Sequence, residues 1–130
     1  MTKRISEARS APKPVTQEFT NGTPLVPFHG GPSPLIEIPF PDVPQWVQSL
    51  AERNGCQSGP VPLPANAARS VLCYPGGPSN ADVLFNTLAG GGHTWPGGEA
   101  IPSFLVGKTI PDVDATRLMW GFFKEHPLAR

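Results

Sequence analysis

His93 stands inside an unusual run, Gly90-Gly91-Gly92-His93-Thr94-Trp95-Pro96-Gly97-Gly98. Glycines on both sides let the backbone turn sharply and leave the imidazole clear of neighbouring side chains. Imidazole is the side chain that takes a proton from a hydroxyl and returns it to a leaving group near neutral pH. Spacing alone fits a proton-transfer site and an ordinary glycine turn equally well. The other candidates are thinner. His29, His93 and His126 form no i, i+4 pair and have no carboxylate at ligand spacing, so neither a metal site nor a cofactor is expected. Cys56 and Cys73 lack Cys-x-x-Cys spacing; two buried thiols and a short-loop disulfide are both open. Glu37 and Asp42 read as a solvated side chain and a helix cap.

The elements that must position His93 can be read in chain order. Residues 1 to about 20 are polar, lack periodicity, contain Pro12 and Pro14, and read as a disordered tail. Pro24-Leu25-Val26-Pro27-Phe28 is a short apolar run that its two prolines demote to an edge strand or extended loop. After Asp42, residues Val43, Trp46, Val47 and Leu50 fall at i, i+3, i+4 and i+7, the spacing of one helix face. Asp42 suits the N-cap, Pro44 the first turn and Gly55 the stop. A proline-rich connection follows to about Arg69. Ser70–Tyr74 and Asp82–Leu88 are strand candidates, and the second runs into the glycine-histidine segment. A last helix is expected from about Ala115 to Glu125, capped by Asp112 or Asp114 and ended by Pro127. Its residues Ala115, Leu118, Met119, Phe122 and Phe123 make one apolar face. Helix, strand, strand, histidine loop, helix is the closing order of an α/β layered domain.

Composition narrows the class. The 130 residues carry 10 basic and 10 acidic side chains, a balance that gives no electrostatic reason to bind nucleic acid or an anionic membrane. No stretch approaches the roughly 18 apolar residues of a membrane helix, and Met1-Thr2-Lys3-Arg4 precedes no apolar export core. The 14 glycines and 18 prolines separate apolar runs instead of replacing them, which describes a loop-rich globular piece.

The nine-residue histidine run resembles the histidine loop of extracellular polyhydroxybutyrate depolymerases and the related feruloyl and acetylxylan esterases. Its surroundings are similar too. Val26-Pro27-Phe28-His29-Gly30-Gly31 resembles the family's segment after the triad acid, and Trp46 with Asn54-Gly55-Cys56 its next helix. Cys73 stands where a second cysteine precedes the histidine strand. Asp114-Ala115, Trp120-Gly121-Phe122-Phe123 and His126-Pro127 resemble the closing helix. The resemblance covers roughly residue 21 to the end. It implies the C-terminal portion (21–130) of an α/β-hydrolase, incomplete, with a mostly parallel sheet and flanking helices. It further implies an extracellular setting, a Cys56–Cys73 disulfide, His93 as catalytic acid and base, Trp95 on the substrate groove, and a polymer or plant cell-wall ester as substrate. Triad members in such folds come in the order serine, acid, histidine, and His93 lies late, before the last helix.

Two departures define what the chain lacks. None of its eight serines, from Ser6 to Ser103, stands in a Gly-x-Ser-x-Gly elbow, and the oxyanion donors that accompany an elbow belong upstream with it. The family's acid segment runs His-Gly-Thr, one residue, Asp, two residues, then Val-Pro. Here Asn21-Gly22-Thr23-Pro24-Leu25-Val26-Pro27 is two residues shorter and holds no acid. The expected function is thus a serine-esterase fragment, inactive alone and dependent on a separate chain for the N-terminal half. The competing expectation is a non-catalytic remnant or binding module that keeps the groove wall around His93. Either way, the strand at 82–88 or its neighbour is expected to present an unpaired edge that drives partial unfolding, aggregation or strand exchange.

Overall fold

The computed structural model describes residues 16–19, 26–34, 36–99 and 101–127, and shows helices combined with two small sheets. The larger sheet has the order β1-β6-β5-β4: β1 is Thr16–Phe19, β4 Val61–Pro62, β5 Arg69–Tyr74 and β6 Val83–Leu88. A separate hairpin pairs β2 (Gly31–Ser33) with β3 (Ile36–Phe40). The helices are α1 (Val43–Arg53), the short α2 (Ser103–Val106) and α3 (Ala115–Glu125).

The two strands read from the sequence form the centre of the sheet. β5 and β6 pair antiparallel, Cys73 opposite Leu84 and Tyr74 opposite Val83. Only the turn around Pro78–Asn80 separates them, far too short for the crossover that a parallel pair requires. The expected mostly parallel sheet is therefore corrected for this part of the chain. The β4–β5 and β5–β6 ladders are antiparallel, and only β1–β6 is parallel. One face of the hairpin carries Leu72, Tyr74, Val83 and Phe85, and α1 lies on it through Val47, Leu50 and Ala51. Phe28 and Val43 close the margin of this core. Burying one such side chain contributes about 1.5–3 kcal/mol, so this cluster is the main stabilising centre.

Helix α1 forms where its signals lie. Asp42 is in extended conformation and accepts the Gln45 N–H at 3.1 Å, Pro44 sits in the first turn, and Asn54 closes the last. Gly55 follows at φ 76°, the left-handed position that ends helices cheaply only in glycine. Helix α3 has the bounds expected, with Asp114 as its N-cap accepting from Arg117 N–H at 2.9 Å.

Two expectations change. The polar stretch read as a tail includes a strand: Thr16–Phe19 pairs parallel with β6, Thr16 opposite Phe85 and Phe19 opposite Leu88. Its composition gives no alternation to detect. What recruits it is the row of backbone donors and acceptors along the free edge of β6, the edge that was expected to stand open. The remainder of that tail, and Pro24-Leu25 of the short apolar run, lie outside the described residues; Val26–Phe28 are not a strand. The implied Cys56–Cys73 disulfide is also not present: both residues are thiols. The Cys56 thiol instead donates to the Ala81 carbonyl at 3.4 Å.

Candidate functional site

Strand β6 hands the chain directly to the histidine loop. Ala89 N–H still bonds to Ala68 at 2.9 Å, and the backbone then turns through Gly90 at φ 72°. From Gly92 onward the loop is laced to the last residue of α2 and the segment after it. Gly92 N–H donates to the Lys108 carbonyl at 2.7 Å, His93 N–H to Val106, and Gly97 N–H to Ile110 at 2.8 Å. The approach at Gly92 leaves no space for a side chain, since a Cβ there would collide with the Val106 carbonyl and with Gly107. This is a steric reason for glycine next to the histidine, beyond the flexibility that the sequence suggested.

The result is a loop whose backbone is fixed while its two distinctive side chains face outward. His93 is exposed, and Trp95 is 50% exposed. Trp95 is still anchored at one end, because its indole N–H donates to the Thr116 hydroxyl on α3 at 3.1 Å. Pro96 beneath it is buried and accepts the Ala115 N–H. Helix α3 is thereby pinned to the loop at its N-terminus. Trp95 is neither packed under the loop nor fully free.

The remaining candidates fall elsewhere. Asn21–Leu25, where the triad acid is missing from the sequence, lie outside the described residues. Asp42 caps α1 and also meets His29 Nδ1 at 3.1 Å, on the surface. His126 is a structural tie, stacked on Phe122 with centroids 4.0 Å apart. Its Nδ1 lies 2.9 Å from the Phe122 carbonyl and its Nε2 3.3 Å from Asp82. Asp82 in turn accepts the Gly77 N–H at 3.1 Å. This tie between the end of α3 and the start of β6 was not legible in the sequence, because its partners are 44 positions apart.

Cys56 and Cys73 are electrostatic neighbours beside Asp82. Burial pushes both thiols up, the Asp82 charge adds to it, and Cys73 also feels Cys56. Raised thiols are poor nucleophiles, since the thiolate is the reactive form. A hollow of about 200 Å³ lies between α1 and the β4–β5 edge, lined by Gln48, Cys56 and Tyr74 among others. It does not include the histidine loop. Burial alone raises the Tyr74 phenol.

Among the described residues no cluster of three or more His, Cys, Asp or Glu is placed to hold a metal, and no helix is long and apolar enough to cross a membrane. The chain matches no protein-family model, no curated protein and no solved structure.

Proposed function

We propose that this chain is the C-terminal portion of an extracellular serine esterase of the polyhydroxybutyrate-depolymerase and feruloyl-esterase type, an α/β-hydrolase. In this reading His93 serves as general acid and base and Trp95 forms one wall of the ester groove. One observation carries the reading. β1 and β6 are parallel neighbours with Phe19 opposite Leu88, so the chains leaving both strands depart from the same end of the sheet. Ligand crevices of open α/β sheets lie beyond the carboxyl ends of parallel strands. The histidine loop begins at that end.

The chemistry is acyl transfer. A serine hydroxyl supplied from outside these 130 residues would attack the ester carbonyl while His93 takes its proton. The tetrahedral intermediate would collapse as His93 returns that proton to the leaving alcohol, and water would then release the acyl group by the same route. The rigid backbone at Gly92 and His93 favours this role, because a general base must be held within hydrogen-bond reach of the hydroxyl. The absence of an elbow in the sequence makes the chain alone inert.

The test is complementation. The purified chain is mixed with the N-terminal portion of a feruloyl esterase bearing its Gly-x-Ser-x-Gly elbow, and p-nitrophenyl butyrate hydrolysis is followed. Turnover is expected from the mixture, lost with His93→Ala, and absent from the chain alone. Hydrolysis by the chain alone that phenylmethylsulfonyl fluoride abolishes would reveal a nucleophile among its own serines and overturn the reading.

A further inference from the structure

Both polar partners of the His126 ring are acceptors. Its Nδ1 lies 2.9 Å from the Phe122 carbonyl, which can only accept. Its Nε2 lies 3.3 Å from one oxygen of Asp82, whose other oxygen already accepts the Gly77 N–H. A neutral imidazole carries one N–H, so it satisfies one of these contacts and turns a lone pair towards oxygen in the other. The imidazolium carries two and satisfies both. The Phe122 ring adds a preference of the same sign: it stacks on His126 with centroids 4.0 Å and planes 15° apart, and an aromatic face attracts a cation. The side chains of His126 and Asp82 are 16% and 27% exposed, so the pair is partly shielded from the solvent that weakens surface ion pairs.

We propose that His126 is a proton-operated clasp: charged, it ties the last turn of α3 to the start of β6 through Asp82, and on losing its proton it loosens that end of the helix. From the turn before β6 the facing charge is Asp82. Cys56, after α1, and Cys73, on β5, neighbour that carboxylate, but burial and the Asp82 charge push both thiols up, so neither adds a charge near neutrality. On α3 itself Lys124 and Glu125 are exposed and of opposite sign. The clasp matters because α3 has little else to hold this end. Its buried side chains are Ala115, at the far end, and Phe122, on which His126 itself stacks. A tie that needs the charged ring is complete at the acid end of the imidazole range and is lost as pH rises through it, between about pH 5 and 8. The inference rests on the fold and uses no part of the ester chemistry.

Hydrogen exchange of the full chain at about pH 5.5 and about pH 8, with the intrinsic exchange rates divided out, reads the clasp directly. Amides of residues 122–126 are expected to lose protection about tenfold at the higher pH, the scale of one charge-assisted hydrogen bond. Amides of α1 are expected to keep theirs. His126→Gln is neutral at every pH and is expected to show the lower protection at both. A second readout needs no variant. At the lower pH the proton spectrum is expected to show two ring N–H signals from His126, because both are held by acceptors, whereas those of a solvent-exposed imidazolium exchange too fast to be seen. Protection at 122–126 that does not fall with pH, a fall shared equally by α1, a His126→Gln chain that keeps the pH dependence, or a ring without two observable N–H protons would each overturn the proposal.

Discussion

Helices α1 and α3 each run eleven residues, begin on an aspartate cap and carry an apolar stripe, yet they are buried to very different extents. α1 buries Val47, Leu50 and Ala51 against the β5–β6 hairpin, and Val47 has no exposed surface. α3 buries only Ala115 and Phe122. Its Trp120 remains 63% exposed and Phe123 40%. α3 is held chiefly at its ends, by Trp95 and Pro96 at one and by the His126–Asp82 contact at the other. Amphipathicity states what a helix could bury. Whether the chain supplies the opposing surface is a separate matter, and here α1 has more of it, although its Trp46 is still 41% exposed.

Substitutions can break this comparison, beginning where the effect is largest. Val47→Asp places an unpaired carboxylate in the middle of the core, and buried uncompensated polar groups cost several kcal/mol. Loss of the cooperative thermal melt by circular dichroism is expected. Phe122→Ala removes the one large side chain that α3 buries, with an expected cost of about 3 kcal/mol. Hydrogen exchange should show the loss concentrated in residues 115–125 while α1 amides keep their protection. Equal loss in both helices would show them to be one cooperative unit.

The caps come next. Asp42→Ala and Asp114→Ala each remove a side-chain acceptor from a helix N-terminus, worth about 1 kcal/mol. The Asp42 change should lower the global melting temperature, because α1 belongs to the core. The Asp114 change should mainly raise exchange in the first turn of α3. The smallest effect is expected at Trp120→Ser, within about 0.5 kcal/mol for an exposed position. A loss above about 2 kcal/mol would mean that the outer face of α3 is covered in solution.

What was legible in the sequence follows the range of each signal. α1, α3, β5 and β6 carry their periodicity, caps and stops within a dozen residues, and all four stand close to their expected bounds. β1 carries no such signal: Thr16–Phe19 becomes a strand only because β6, far along the chain, offers a free edge. The β2–β3 hairpin carries Pro32, Pro34 and Pro39, which interrupt any strand pattern in the sequence. At the candidate site, the glycines beside His93 were visible in the sequence as a flexible turn, whereas the steric need for Gly92 comes from the approach of Val106 and Gly107. The partners that fix the loop, Val106, Lys108 and Ile110, and the Thr116 hydroxyl under Trp95 come from tertiary approach. The cysteines show the same limit, since their placement beside Asp82 depends on how the 78–82 turn folds.

The β1–β6 ladder has a consequence for the order of events in a cell. Synthesis runs from the N-terminus, so position 16 emerges long before position 85, its partner. At about 5–20 residues per second the wait is on the order of several seconds. The β5–β6 hairpin needs only microseconds once both its strands are free. During that interval Thr16–Phe19 has nothing to pair with, and when β6 appears its open flank is available to whichever strand arrives first. Crowding on a polysome brings neighbouring nascent chains to that flank at high local concentration. The hazard is therefore greatest in the brief period after residue 88 leaves the exit tunnel, and slower translation through the proline-rich stretch at residues 60–64 would separate neighbouring chains just before it.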